Sequence, residues 1–420
     1  MKFILFKYFF LLVILLAPFG HKAMAQQEGF IFGEIVLRNN SQYKGKITWS
    51  AGQNMWVDML RVEKKDNPML KYLTEEELQK LSEVKKNQTD WGFMNLWKNQ
   101  YPNRKLTFRC QFGNITKIEV TGDEEATVYL KNGQDIRVFI NDDIEYKDQL
   151  GNPILIHTME NEQNEIDWNQ IREVQFFPTP THLPQFMELP LYGTVLTRFD
   201  FTYTGMIKWD LDEHLSSQYL DGITIDDKRA RYPFYDVQSI RPKNQGSIVQ
   251  LESGKEIYLH ELTNVTNKNA GILIRNPKWG QVNLRWGGFK NATFIPYPPG
   301  AGFGYNDFPK PKELRGTITT KNNQDIKGSL VFDLDERWDI ETLDGWDQGG
   351  GLRQIPFRLI DHIYPVSQTH SAIFLRDGEK ITLGDRSDVN HQNWGIMVKM
   401  NEGEFQYIPW EEVQLLHLSH

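Results

Sequence analysis

The chain has 420 residues, 24% of them charged, with a formal net charge of −8 and a single cysteine, Cys110. That length predicts two to four domains, and the acidic balance lacks the basic stripe that nucleic-acid binding needs. One thiol excludes an intrachain disulfide, so stability must come from buried cores, which domains of about 100 residues or more can supply.

Lys2 and Lys7 precede an apolar run from Phe9 to Leu16, and Ala23-Met24-Ala25 has the small-x-small form of a cleavage site. This predicts a secretory signal peptide over 1–25, cleaved near Ala25. The run is short for a span of about 20 residues, and no cysteine sits at the cleavage site to take a lipid. The expectation is an exported chain, periplasmic or released, with no transmembrane span after cleavage. The first 25 residues carry three lysines and no acids, which leaves 44 basic against 55 acidic residues beyond them, a charge of −11.

A first β-rich unit is expected over 29–178. Its opening, GEIVLRNNSQYKGKITW, places Gly33, Gly45 and Trp49 on two alternating runs around Asn39-Asn40-Ser41, a hairpin turn. Residues from about 60 to 105 form an insertion. Thr74 and Glu77 make a capping box there, ahead of an apolar stripe of Leu78, Leu81 and Val84. A second short helix is expected around Trp91–Trp97. VYLKNGQDIRVFI (128–140) reads as a hairpin around Asn132-Gly133. A proline-rich linker follows over 179–190.

The second unit, 191–296, repeats the first. Gly193, Gly205 and Trp209 match Gly33, Gly45 and Trp49 at an offset of 160. It continues with Asp-Leu-Asp-Glu (210–213), the segment YPFYDVQSIRP and the hairpin SIVQLESGKEIYLH. A linker over 297–312 leads to a third unit, 313–420, offset by 123: Gly316 and Gly328, a second Asp-Leu-Asp-Glu (333–336), IPFRLIDHIYP and AIFLRDGEKITLG. A repeat of this length is a small domain rather than a solenoid turn.

The pattern predicts an all-β protein of three tandem small barrel-like or sandwich repeats, the first with a helical insertion. Gly-x-Val/Ile, a turn, Gly-x-Ile/Leu, a Pro-Phe-x-x-Ile/Val segment and a Gly hairpin together resemble small SH3-like barrels, in the manner of exported bacterial repeat proteins without assigned role. The resemblance spans all three units. It implies binding modules and names no activity.

Two constellations are candidates for chemistry. Asp210, Asp212 and Glu213, repeated as Asp333, Asp335 and Glu336, offer hard oxygen ligands of the kind Ca²⁺ takes. Read as extended, they put the carboxylates on one side and Leu211 and Leu334 toward the core. Solvated turns are the plain alternative. The loop carrying Asn264 and Asn269, matched by Asp388, Asn390 and Asn393, could bind a ligand or simply form Asx turns before a glycine. No catalytic motif, phosphate loop or dinucleotide fingerprint is present, the histidines are scattered, and Cys110 reads as a small hydrophobe.

The functional expectation is a non-catalytic exported interaction or scaffold protein binding an envelope protein or glycan, with no cofactor beyond a possible Ca²⁺. Two alternatives stand beside it: a carbohydrate-active or carbohydrate-binding protein using its acids and tryptophans, and a calcium-stabilised structural protein. Trp279, Trp338, Trp346 and Trp394 discriminate. An exposed coplanar row would favour sugar stacking, and burial would remove that support.

Overall fold

The computed structural model describes residues 28–50, 52–64, 67–86, 106–140, 149–180, 189–298, 303–400 and 403–419, with side chains in the helix given to Leu81. The expected signal peptide and the expected helix around Trp91–Trp97 lie outside the described residues. The fold is all-β. Among the described residues each unit contributes ten strands.

Unit one has β1 (Phe32–Leu37), β2 (Gln42–Thr48), β3 (Met59–Lys64), β4 (Leu106–Gln111), β5 (Ile115–Val120), β6 (Glu125–Leu130), β7 (Asp135–Phe139), β8 (Ile154–Thr158), β9 (Gln163–Ile166) and β10 (Ile171–Phe176). Unit two has β11 (Tyr192–Thr197), β12 (Thr202–Trp209), β13 (Tyr219–Thr224), β14 (Arg229–Pro233), β15 (Val237–Lys243), β16 (Gly246–Leu251), β17 (Glu256–His260), β18 (Ile272–Asn276), β19 (Gly280–Leu284) and β20 (Phe289–Phe294). Unit three has β21 (Arg315–Thr320), β22 (Asp325–Phe332), β23 (Thr342–Asp347), β24 (Gly351–Pro356), β25 (Ile360–Pro365), β26 (His370–Leu375), β27 (Lys380–Gly384), β28 (Ile396–Lys399), β29 (Phe405–Ile408) and β30 (Val413–Ser419).

All pairings are antiparallel and the order is the same three times. In unit one it runs β9-β8-β2-β1-β10-β5-β6-β7-β3-β4. Each unit therefore divides into two five-strand runs, here β10-β1-β2-β8-β9 and β5-β6-β7-β3-β4, joined where β10 meets β5. The strands at which the two runs meet, β5 and β10 and their counterparts, each follow a one-turn 3-10 helix that opens on an aromatic residue: Phe112, Trp168, Phe234, Trp286, Phe357 or Trp410. Three residues on stands a buried Ile115, Ile171, Val237, Phe289, Ile360 or Val413. One 3-10 turn brings residues three apart onto one side, so each such step turns two buried apolar groups the same way.

The repeated glycines have a packing reason. Gly33 lies opposite Gly45, Gly193 opposite Gly205 and Gly316 opposite Gly328. A Cβ at Gly205 or Gly328 would strike the carbonyl oxygen of Arg275 or Lys399 on the adjoining strand. Only glycine allows the backbones to approach that closely.

The cores are less separate than the repeat pattern suggests. Units two and three have their own clusters, around Trp209 and Phe332. The cluster of unit one also takes in Met206 and Leu215 of unit two, Tyr297, Tyr305 and Phe308 of the linker, and Trp338 and Ile340 of unit three. Lys131 Nζ donates to the Phe308 carbonyl (3.1 Å), Asn132 Nδ2 to the Pro311 carbonyl (3.0 Å) and Tyr305 Oη to the Ile115 carbonyl (2.9 Å). The linker between units two and three is thus bound to the flank of unit one.

The insertion runs from 65 to 105, because β3 extends to Lys64 and β4 begins at Leu106. It contains helix α1 (Glu75–Lys86), and its capping box forms as expected: Thr74 N donates to Glu77 Oε2 (2.7 Å) and Glu77 N to Thr74 Oγ1 (3.3 Å). Leu73 and Leu81 pack on Leu334, Trp394 and Met397 of unit three, with Tyr72 stacked on Phe405 at 4.0 Å. The described part of the insertion therefore packs on unit three.

Units two and three share one sheet. Edge strand β19 pairs with edge strand β24, placing Gln281 opposite Gln354 and Asn283 opposite Leu352. Beside this seam Arg353 lies 5.0 Å from the ring centroids of both Tyr203 and Trp279. Its Nε donates to Asp347 Oδ2 (2.7 Å), and Tyr203 Oη donates to the same carboxylate (2.8 Å). Stacking and a satisfied carboxylate make a buried arginine tolerable at this depth. No helix among the described residues is long and apolar enough to cross a membrane.

Candidate functional site at the junction of the units

Asp-Leu-Asp-Glu is not extended. Asp210 and Leu211 have φ of 55° each, and Asp333 and Leu334 have 49° and 55°. Two successive left-handed residues turn the chain back on itself, so Trp209 pairs with Glu213 and Phe332 with Glu336. The predicted alternation of acids and core leucine fails for this reason. Leu211 borders a cavity, and Leu334 is buried under the insertion.

The two sequence candidates, more than fifty residues apart, come together. In unit two Asn264 Nδ2 donates to Asp210 Oδ2 (3.0 Å) and to Glu213 Oε1 (3.1 Å), while its Oδ1 accepts from Asp221 N (3.0 Å). An amide fills the space between the carboxylates, which is where a cation would otherwise sit. Asp212 is exposed, and its carbonyl meets His214 Nδ1 (2.9 Å). Asn269 makes an Asx turn to Gly271 N (3.0 Å). In unit three Asn393 makes the same turn to Gly395 N (2.8 Å) and Asn390 one to Gln392 N (2.8 Å). Asp388 replaces Asn264 and accepts from Asp344 N (2.8 Å).

Burial acts on these groups. Glu213 is pushed up to about 7 by desolvation, with Asp212 and Asp210 adding and the Asn264 bond opposing. Glu336 is held well above the ordinary carboxylate range by burial and then by Asp335, Asp388 and Asp333. Next to Glu213, His214 is lowered to about 4 by burial and by Lys208, and its Nε2 lies 2.7 Å from Asn54 Nδ2 of unit one. Among the described residues, the set of three that brings ligand atoms within 4.8 Å of one another is Asp227, His260 and Glu261. None of the sequence candidates belongs to it.

After each such turn a side chain four residues on caps two backbone amides. Asp58 accepts from Asn54 N and Met55 N, Gln218 from His214 N and Leu215 N, and Glu341 from Arg337 N and Trp338 N, all at 2.7–2.9 Å. Where the cap is charged, a cation from another unit meets it. Arg275 of unit two pairs with Asp58, and Lys64 of unit one with Glu341 at 2.5 Å and Asp335 at 2.6 Å. Burial works to lower the Lys64 pKa, but Asp335 and Glu341 raise it. The caps align at the repeat offsets of 160 and 123, a signal that could have been read from the sequence. Their cationic partners have no such signature.

Two cavities flank this junction and share Arg61, Arg109 and Gln354. The larger, about 400 Å³, is bordered by Gln53 of unit one, Lys208, Asp210 and Asn283 of unit two and Gln354 of unit three. The smaller, about 220 Å³, is bordered by Asp335, Glu336 and Asp388 of unit three with Arg109 of unit one. Arg109 Nη1 also donates to Thr342 Oγ1 (3.1 Å). Gln53 Oε1 and Asn283 Oδ1 are buried without a hydrogen-bond partner among the described residues.

The four discriminating tryptophans are all engaged. Trp338 and Trp394 are buried. Trp279 lies against Arg353, and Trp346 is 5.1 Å from the Arg285 guanidinium. They form no exposed row, so the support they lent to sugar stacking is removed. Compared with protein families, characterised proteins and solved structures, the chain has no match.

Proposed function

We propose that the protein is a non-catalytic, exported binding protein whose ligand, an envelope protein segment or a glycan, is held at the junction of the three units. The observation that carries this is the pair of buried, unpartnered acceptors, Gln53 Oε1 and Asn283 Oδ1, on units that meet at a cavity of about 400 Å³. Buried polar atoms are rarely left unpaired. Acceptors of this kind suit a ligand that presents N–H or O–H groups. The strand order, with a 3-10 turn before β5, β10 and their counterparts, supports the resemblance to SH3-like barrels used as binding modules. The cavity is walled by three units held through buried ion pairs, which suits recognition by a preorganised surface.

The test is a cross-linking pull-down from the cell envelope with the tagged chain and with Asn283→Leu. One partner or glycan recovered by the wild type and lost in the variant supports the reading. Equal recovery by both, or turnover of an envelope substrate, overturns it.

A further inference from the structure

The seam between β19 and β24 is an edge-to-edge pairing of two equivalent ten-stranded sheets. The other copies of these edges are β9 and β29 on one side and β4 and β14 on the other. Two are engaged: β29 is covered where Tyr72 stacks on Phe405, and β4 is held against unit three through Arg109. Among the described residues that leaves β9 and β14. We propose that copies of this chain associate end to end, β9 of one adding to β14 of the next in the antiparallel register that β19 and β24 use within the chain.

The register follows from the internal repeats. Ile166 pairs with Ile154 as Leu284 pairs with Ile272, so Glu165 stands where Asn283 stands and Gln163 where Gln281 stands. Ala230 pairs with Gly222 as Arg353 pairs with Gly345, so Arg229 corresponds to Leu352 and Arg231 to Gln354. The β19–β24 partners Asn283–Leu352 and Gln281–Gln354 then become Glu165–Arg229 and Gln163–Arg231. Asn164 would meet Ala230, which is small enough to admit it.

The charges fit. The β9 edge carries exposed Glu160, Glu162 and Glu165, and the β14 edge exposed Lys228, Arg229 and Arg231. Arg229 and Arg231 pair with Asp221 of their own unit at 3.9 and 3.4 Å, and Arg231 also lies 4.2 Å from the Tyr219 ring centroid, yet 71% and 61% of the two side chains stay exposed. Charged residues on an edge usually prevent pairing. Here like edges repel and unlike edges attract, so the same charges select a head-to-tail contact. Such a contact is heterologous and builds rings or filaments. One difference shortens it. Gly280, with φ 85°, lets β19 approach Gln354, and Glu162 occupies that position in unit one. The shared ladder therefore begins at Gln163.

The experiment is sedimentation velocity on the chain from Gln26 onward, across about 1–300 μM at low and high salt. Wild type is expected to show a mass that rises with concentration and falls with added salt. Glu165→Arg and Arg229→Glu should each weaken association about tenfold or more, with the melting temperature unchanged because both side chains are exposed. Mixing the two variants should restore it, since the substituted edge of each then meets an edge of opposite charge on the other. A wild type that stays monomeric overturns the proposal. So does association that ignores the single substitutions, which would place the contact on another surface.

Discussion

Asp388 occupies in unit three the position that Asn264 occupies in unit two, and both accept a backbone N–H, from Asp344 and Asp221 respectively. The difference lies in the other atom of the group. Asn264 donates to Asp210 and Glu213, whereas Asp388 brings a third carboxyl toward Asp333 and Glu336. Asp388→Asn should supply the missing donor and raise stability at pH 7 by about 1–2 kcal/mol. Asn264→Asp should lower it by a similar amount. Because the Glu336 pKa is raised on folding, its contribution is greatest at low pH and is lost as pH rises from the ordinary carboxylate range through the raised value. Asp388→Asn should flatten that slope. Chemical denaturation at pH 5 and pH 8 measures it, and an Asp388→Asn variant less stable than wild type at both would refute the account.

The ion pairs between units should be costly to halve. Arg275 and Asp58 are both nearly fully buried, as is Glu341 beside Lys64. Arg275→Met or Lys64→Met leaves a buried carboxylate uncompensated, and a loss of about 3–5 kcal/mol is expected. Arg275→Met with Asp58→Asn should recover part of it. A double-mutant cycle by urea unfolding gives the coupling energy, and a value near zero would mean the pair does not hold the units together.

The paired glycines make a sharper prediction. Gly205→Val and Gly328→Val each drive a side chain into a neighbouring backbone carbonyl. The cost is expected to be about 3 kcal/mol or more. Hydrogen exchange should show lost protection in β12 and β18 for the first, and in β22 and β28 for the second. Near-native protection in both would show that the strands can separate without penalty.

Acid should act on His214 and Glu213 in opposite directions. A His lowered to about 4 stabilises the fold above its unfolded value near 6.5, and that stability is lost as pH falls from 6.5 to 4. A Glu raised to about 7 gains as pH falls from 7 toward 4.5. The two should largely offset each other in the wild type. His214→Gln removes one side, so the variant should gain in melting temperature relative to wild type between pH 7 and 4.5. A parallel pair of curves would show that His214 is not held neutral.

Much of the fold is legible because it is written in local chemistry. Alternating runs mark the strands, Asn132-Gly133 the hairpin, Thr74 and Glu77 the helix cap, and glycines at matching offsets the repeats. Each reports a constraint felt within a few residues: a pleat, a positive φ, an orphan amide. The Asp-Leu-Asp-Glu turn hides from such a reading because its two left-handed residues are not glycine. The second five-strand run inside each unit hides too, although the aromatic-x-x-apolar step at Phe112 and Trp168 marks it twice per unit.

The amino-acid order alone therefore determined the class of fold and the local turns and caps that punctuate it. Tertiary structure decided what meets at the junction. Asn264 reaches Asp210 across the chain, Lys64 and Arg275 find acids on other units, and β19 rather than β9 finds β24. Those contacts depend on where whole sheets dock, which is set by summed burial over many side chains, and no spacing along the chain records it.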